Sequence, residues 1–222
     1  MYSSLPVDAA KTNRYQIKMS DVVLNRADLA DAELPAYQGI QLDQVTLVVS
    51  RALAETALQA LMAADAIGFD SESKPTFRKG EASTGPHLVQ LATDAHAYLF
   101  PISQACDVRS ALQEILESPA VLKVGFGLGN DRSVLKSRLN IEPNRLLDLG
   151  EKLRGPGHRG TVGAKVAVAH FFGQKLQKSK KTGTSNWASP SLSERQLLYA
   201  ANDAHVALRL YRAWLLSGPQ ED

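Results

Sequence analysis

From residue 44 onward the chain alternates short apolar runs with segments of helical period. Val45 to Ser50 predicts a first strand, and Arg51 to Ala64 repeats apolar residues at the spacing of a helix. Ala66 to Glu72 predicts a short buried strand. His87 to Ala92 and Ala97 to Phe100 predict two more, with a polar hairpin loop from Lys74 to Pro86. Val108 to Glu117 then reads as a helix, Val121 to Phe126 as a strand, and the residues after Asp131 as a helix. Leu146 to Leu149 predicts a short edge strand and Val162 to Phe172 a helix. Ser193 and Gln196 form the S-x-x-Q pattern of a capping box, which opens a long final helix. Strands first, then strands alternating with helices, predict an α/β fold with a mixed central sheet flanked by helices. Residues 1–40 are polar and read as an N-terminal arm with one short helix near Asp21 to Ala30, leaving 41–218 as the folded domain.

Five polar residues stand where this pattern expects apolar ones. Alternation along Ala66 to Glu72 turns Ile67, Phe69 and Ser71 one way and Gly68, Asp70 and Glu72 the other. Asp70 and Glu72 are therefore neighbours on one face, about 6–7 Å apart at Cα, and two carboxylates so spaced can share a cation. An exposed strand end with solvated acids fits the same triplet. Asp131 follows a glycine-rich turn and shares a stripe with Leu135 and Leu139 at i, i+4, i+8. A first-turn acid at a helix N-terminus fits it equally. In the last helix, Asp203 sits in the apolar stripe of Tyr199, Ala200, Ala207, Leu210 and Trp214, with Tyr199 one turn earlier. A structural tyrosine–aspartate hydrogen bond is the alternative there, although a buried charge without further compensation is costly. His205 lies off that face.

Composition narrows the picture. A hydrophobic content of 44% and a charged content of 22% are globular values, and 222 residues suffice for one core. Cys106 is the only cysteine, so no internal disulfide forms, and it reads as a packing residue. No export signal and no apolar run near 20 residues is evident, so the expectation is a cytoplasmic protein without a membrane partner. From Lys152 through Ser193 there are eight basic and no acidic residues, leaving 17 basic against 23 acidic elsewhere. Lys175, Lys178, Lys180 and Lys181 cluster just before the last helix. A solvated lysine loop is one reading, and a phosphate-holding loop beside an acidic site is the other.

In order and together, Asp70-Ser71-Glu72, Asp131 and Tyr199-x-x-x-Asp203 resemble the DEDD superfamily of 3′–5′ exonucleases, in the subgroup whose third motif carries tyrosine. Leu88-Val89-Gln90-Leu91, Lys123-Val124-Gly125, Ser185-Asn186-Trp187 and Pro190-Ser191-Leu192-Ser193 extend the resemblance, which runs from about 44 to 215 and is nearest the ribonuclease D and Werner-helicase exonuclease branches. It implies a ribonuclease H-like fold, two Mg²⁺ or Mn²⁺ ions, and release of nucleoside 5′-monophosphates from DNA or RNA with a free 3′ end. By the same resemblance, Asp70 would bridge both ions, Glu72 and Asp203 would complete one site, and Asp131 would hold the other. Tyr199 would orient the attacking water. Ser71 would offer its backbone to the terminal sugar. Phe126 would pack near the terminal base or in the core. Trp187 would stack on a base or brace the basic loop, and Lys178 and Lys181 would contact backbone phosphates. Rival expectations are a nucleic-acid-binding module without catalysis and a phosphoesterase for very short oligonucleotides. The sequence does not set the oligomeric state.

Overall fold

The computed structural model describes residues 33–217 apart from 77, 79, 82, 103–105 and 155–159, with backbone alone at 106 and 107. The expected helix at 21–30 and the Cys106 side chain lie outside the described residues. Six strands form one sheet: β1 (Val45–Leu47), β2 (Ala66–Glu72), β3 (Leu88–Ala92), β4 (Ala97–Pro101), β5 (Leu122–Gly125) and β6 (Leu146–Asp148), in the order β1-β4-β3-β2-β5-β6. The β3 strand runs antiparallel to both β2 and β4, whereas β1 on β4, β5 on β2 and β6 on β5 are parallel. This is the mixed sheet that the alternation of strands and helices predicts.

The helices are α1 (Arg51–Met62), α2 (Cys106–Glu117), α3 (Asp131–Val134), α4 (Leu149–Lys152), α5 (Ala164–Phe172), α6 (Lys180–Gly183) and α7 (Glu194–Leu216). Ser50 caps α1 by accepting from the Leu53 N–H, and Ser193 and Gln196 cap α7 reciprocally, as their spacing predicts. After α3 the chain widens into a π-type turn over Leu135–Leu139, and its two leucines are buried as their stripe requires. The α4 and α6 helices span four residues each, too few to leave a period in the sequence. The basic segment is therefore a short capped helix between turns rather than a plain loop.

Two layers cover the sheet. On one face, Ile67 and Phe69 of β2 join Ala54, Ala57 and Leu61 of α1 and Leu112, Ile115 and Leu116 of α2 in an apolar core. On the other, Leu88, Ala92 and Leu99 pack against Ala200, Ala201 and Ala204 of α7. Small residues on α7 let it lie close to the sheet. A Cβ at Gly68 would sit 1.9 Å from the Ala204 carbonyl oxygen, so only glycine admits the helix at this height. Residues ahead of β1 add to this face: Ile40 is buried, and its N–H donates to the Asn202 side-chain oxygen at 3.0 Å.

Candidate active site

The end of β2 and the middle of α7 meet at three acids. A carboxylate oxygen from each of Asp70, Glu72 and Asp203 lies within 4.8 Å of the other two. The strand supplies two by alternation, and the close approach at Gly68 brings the third onto them. Asp203 is buried, while Asp70 and Glu72 keep part of their surface open to solvent. Desolvation, then the neighbouring charges of Asp70 and Asp203, push Glu72 from 4.5 up to about 9. Asp70 is raised by desolvation and by Asp203, and Asp203 is raised by desolvation despite hydrogen bonds from Lys178 and Tyr199. The surroundings thus do not compensate full ionisation of the cluster, and its acids favour the protonated form.

One cation of the chain stands among these acids. The Lys178 ammonium is 2.9 Å from Asp203 Oδ2. Burial works against its charge, but Asp203, Asp70 and Glu72 together hold it above its ordinary value. Tyr199 completes the group from one turn earlier on α7, its hydroxyl hydrogen-bonded to Asp203. Desolvation and the three acids keep that phenol protonated.

The segment around α6 seats the tyrosine. Gly183 lies so close that a Cβ there would be 2.7 Å from the Tyr199 hydroxyl. The Trp187 indole N–H donates to the Gly183 carbonyl at 3.1 Å, and its ring lies 6.0 Å from that of Tyr199. Gln196 Nε2 donates to Ser185 Oγ at 3.0 Å, which ties the segment to the start of α7. Sequence reasoning missed Gly183 as a seat. Its only signal is a glycine between threonines ahead of Ser185-Asn186-Trp187.

Asp131 approaches from the opposite layer. Leu128, Leu135 and Leu139, which flank it, belong to the core under α1 and α2. Its Oδ1 accepts from Ser71 Oγ at 2.7 Å, and Ser71 has the same strand parity as Ile67 and Phe69. Desolvation raises its carboxyl and the Ser71 hydrogen bond opposes this. Asp131 therefore stands across the end of β2 from the three-acid group rather than within it. Asp148 orients the turn before Asp131 by accepting from the Leu128 N–H at 2.8 Å.

The remaining candidates divide. Trp187 is 2% exposed, which leaves no ring face for a base; the indole braces the α6 segment instead. Of the two expectations for Trp187, stacking on a base or bracing the basic loop, its burial favours the brace. The Ser71 backbone N–H, expected to meet a terminal sugar, already donates to Asp70 Oδ1 at 2.9 Å. Phe126 is partly buried against the apolar cluster of Val124 and Leu149 at the β5 end. Lys181 is exposed on α6, whereas Lys178 points into the acids rather than out to solvent, so it competes for the same charges as a metal. His205 is buried with Nε2 on the Asp94 carbonyl at 3.1 Å, away from the acids.

This donor set fits a divalent cation. Three convergent carboxylates are hard oxygen ligands, their raised pKa values report uncompensated charge, and an ammonium already stands in for one positive charge. Among the described residues no helix is long and apolar enough to cross a membrane. The sequence profile of the family described as 3′-5′ exonuclease matches residues 45–215. The chain is 30% identical over 164 residues to the bifunctional 3′-5′ exonuclease/ATP-dependent helicase WRN of Mus musculus, covering 72% of this chain and 12% of that protein. It is 31% identical to the exonuclease mut-7 homolog of Aedes aegypti, spanning 28% of that protein. The Aedes aegypti Nibbler EXO domain superposes with a TM-score of 0.67 at 28% identity, over 82% of this chain and 92% of the other. An RNase D of Trypanosoma brucei, solved in complex with RNA U12, shares the fold with a TM-score of 0.69 at 21% identity, over 80% and 63% of the two chains. The expected ribonuclease H-like architecture is the one observed, and with the acids, the tyrosine and the matched profile aligned along one chain, the protein belongs to the 3′-5′ exonuclease family.

Proposed function

We propose that this protein hydrolyses phosphodiester bonds at the 3′ ends of nucleic acid, releasing nucleoside 5′-monophosphates with the help of two Mg²⁺ or Mn²⁺ ions. The observation that carries the reading is the convergence of Asp70, Glu72 and Asp203 beside the Tyr199 hydroxyl. Asp70, Glu72 and Asp203 would hold one cation, and Asp131 would contribute to a second. When bound, the cations supply Lewis-acid activation of water and neutralise charge building on the phosphate. The phenol of Tyr199, kept protonated by the acids around it, orients the attacking water by hydrogen bonding. Lys178, 2.9 Å from Asp203 Oδ2, would be available to a phosphate oxygen wherever a cation neutralised the acids in its stead. Lys181 adds positive charge along the path of the strand.

A digestion ladder tests this. The purified protein is incubated with 5′-labelled DNA and RNA, each single-stranded and as a recessed duplex, in Mg²⁺, Mn²⁺ or chelator. The expected result is a metal-dependent ladder shortening from the 3′ end, with mononucleotide 5′-phosphates as product. Intact substrate in every metal lane, with binding retained, would leave a nucleic-acid-binding module instead. Cleavage confined to oligomers of a few nucleotides would make it a short-oligonucleotide phosphoesterase.

A further inference from the structure

Gln90 is the one fully polar side chain in the run Leu88-Val89-Gln90-Leu91-Ala92. It is 0% exposed, and neither its Nε2 nor its Oε1 has a hydrogen-bond partner. Burying an amide with both ends unmet carries the full desolvation penalty of each group. A leucine at this site would avoid that cost and would match its surroundings. Its neighbours on the same face are Leu88, Ala92 and, across β4, Leu99, all packed under α7.

The strand register shows what else is beside it. Gln90 pairs directly with Asp70 across the antiparallel β2–β3 ladder. Directly opposed side chains share a face, with Cβ atoms about 4.5–5.5 Å apart. The Asp70 carboxylate accepts from the Ser71 backbone N–H through Oδ1. A carboxylate offers more acceptor positions than that single bond fills. A buried donor without a partner thus lies beside a carboxylate that has acceptor positions to spare.

We propose that Gln90 is a positioning residue of the metal site, its carboxamide N–H donating to the Asp70 carboxylate in the cation-loaded protein and fixing the direction from which Asp70 binds metal. The inference rests on the exonuclease reading of the three acids. Outer hydrogen-bond partners of ligating carboxylates hold them in place, and removing one typically weakens metal affinity by about 10–100-fold.

The test uses Gln90→Leu and Gln90→Met, which keep the volume and remove both polar ends. Mn²⁺ affinity is measured by electron paramagnetic resonance, and melting temperature is measured in chelator. The expected result is a metal-free melting temperature equal to or above wild type, with Mn²⁺ affinity weakened about tenfold or more. The Mn²⁺ concentration giving half-maximal exonuclease rate should rise in parallel, with the rate recovering at saturating metal. Unchanged Mn²⁺ affinity in either folded variant overturns the proposal, as does loss of the metal-free fold in both, which would make Gln90 a packing residue. Wild-type protein that fails to bind Mn²⁺ would instead remove the metal reading itself, and this inference with it.

Discussion

The two faces of β2 use one strand for opposite purposes. Toward α1 and α2 it presents Ile67 and Phe69, both wholly buried in an apolar core. Toward α7 it presents Gly68, Asp70 and Glu72, and the adjoining strand adds Gln90. The first face stabilises the protein by excluding water. The second crowds three acids, whose ionisation is penalised by burial and by one another, beside an orphaned amide, an arrangement that costs stability. Because the two faces share a backbone, the apolar one fixes where the charged one stands. A rigid core is what lets three repelling carboxylates keep their spacing.

Four experiments bear on this contrast, beginning with the largest effect. Asp70→Asn keeps shape and removes charge. Exonuclease activity should fall by roughly 10³-fold or more, at or beyond the loss from removing one preorganised electrostatic group. Its melting temperature in chelator should rise, since a repelling charge is gone. A fall in metal-free stability would break the division of labour between the faces. Phe69→Ala on the opposite face should do the reverse. It should cost about 3–5 kcal/mol in denaturant unfolding, while the protein that remains folded binds Mn²⁺ as wild type does. Tyr199→Phe removes only the hydroxyl and should lower the rate about 10²-fold with Mn²⁺ affinity retained, as assayed by single-turnover digestion.

The fourth experiment is a pH series of melting temperatures without metal. Glu72 is raised from 4.5 to about 9 in the folded protein. The native state therefore holds a proton that the unfolded chain releases above the ordinary carboxylate range. Stability linked to it is complete below that range and is lost as pH climbs through about 9. Asp70 and Asp203 are shifted in the same direction and steepen the trend. Melting temperature should fall across neutral and alkaline pH in chelator, and saturating Mn²⁺ should flatten the slope. Phe69→Ala should lower the whole curve without changing its slope. A flat profile in chelator would mean that burial does not raise these acids in the folded protein.

Legibility of the sequence followed the same division. Strand alternation placed Asp70 and Glu72 together, and the capping box of Ser193 and Gln196 set the helix that carries Tyr199 and Asp203. Those signals are local, so periodicity sufficed. Which layer brings Asp131, and that it meets Ser71 on the opposite parity, depends on how the turn after β5 crosses the strand end. No period records that crossing. The α6 segment was opaque for a similar reason. Its charge suggested a surface loop, yet Lys178 and Gly183 act through contacts with residues sixteen or more positions later in the chain, at Tyr199 and Asp203. Trp187 kept two readings, stacking platform or brace, because an aromatic beside lysines fits either until its burial is known.

The position of Lys178 has a consequence for the order of assembly. A site of bare carboxylates would need a metal ion to draw its strands and helix together, so folding would wait on metal supply. This chain brings its own counter-ion on a tether, seated on Asp203 at 2.9 Å. The polypeptide can therefore offset part of the charge on Asp203 from within its own sequence. On the metal-dependent reading proposed above, loading would be an exchange, in which the cation displaces the Lys178 ammonium from Asp203.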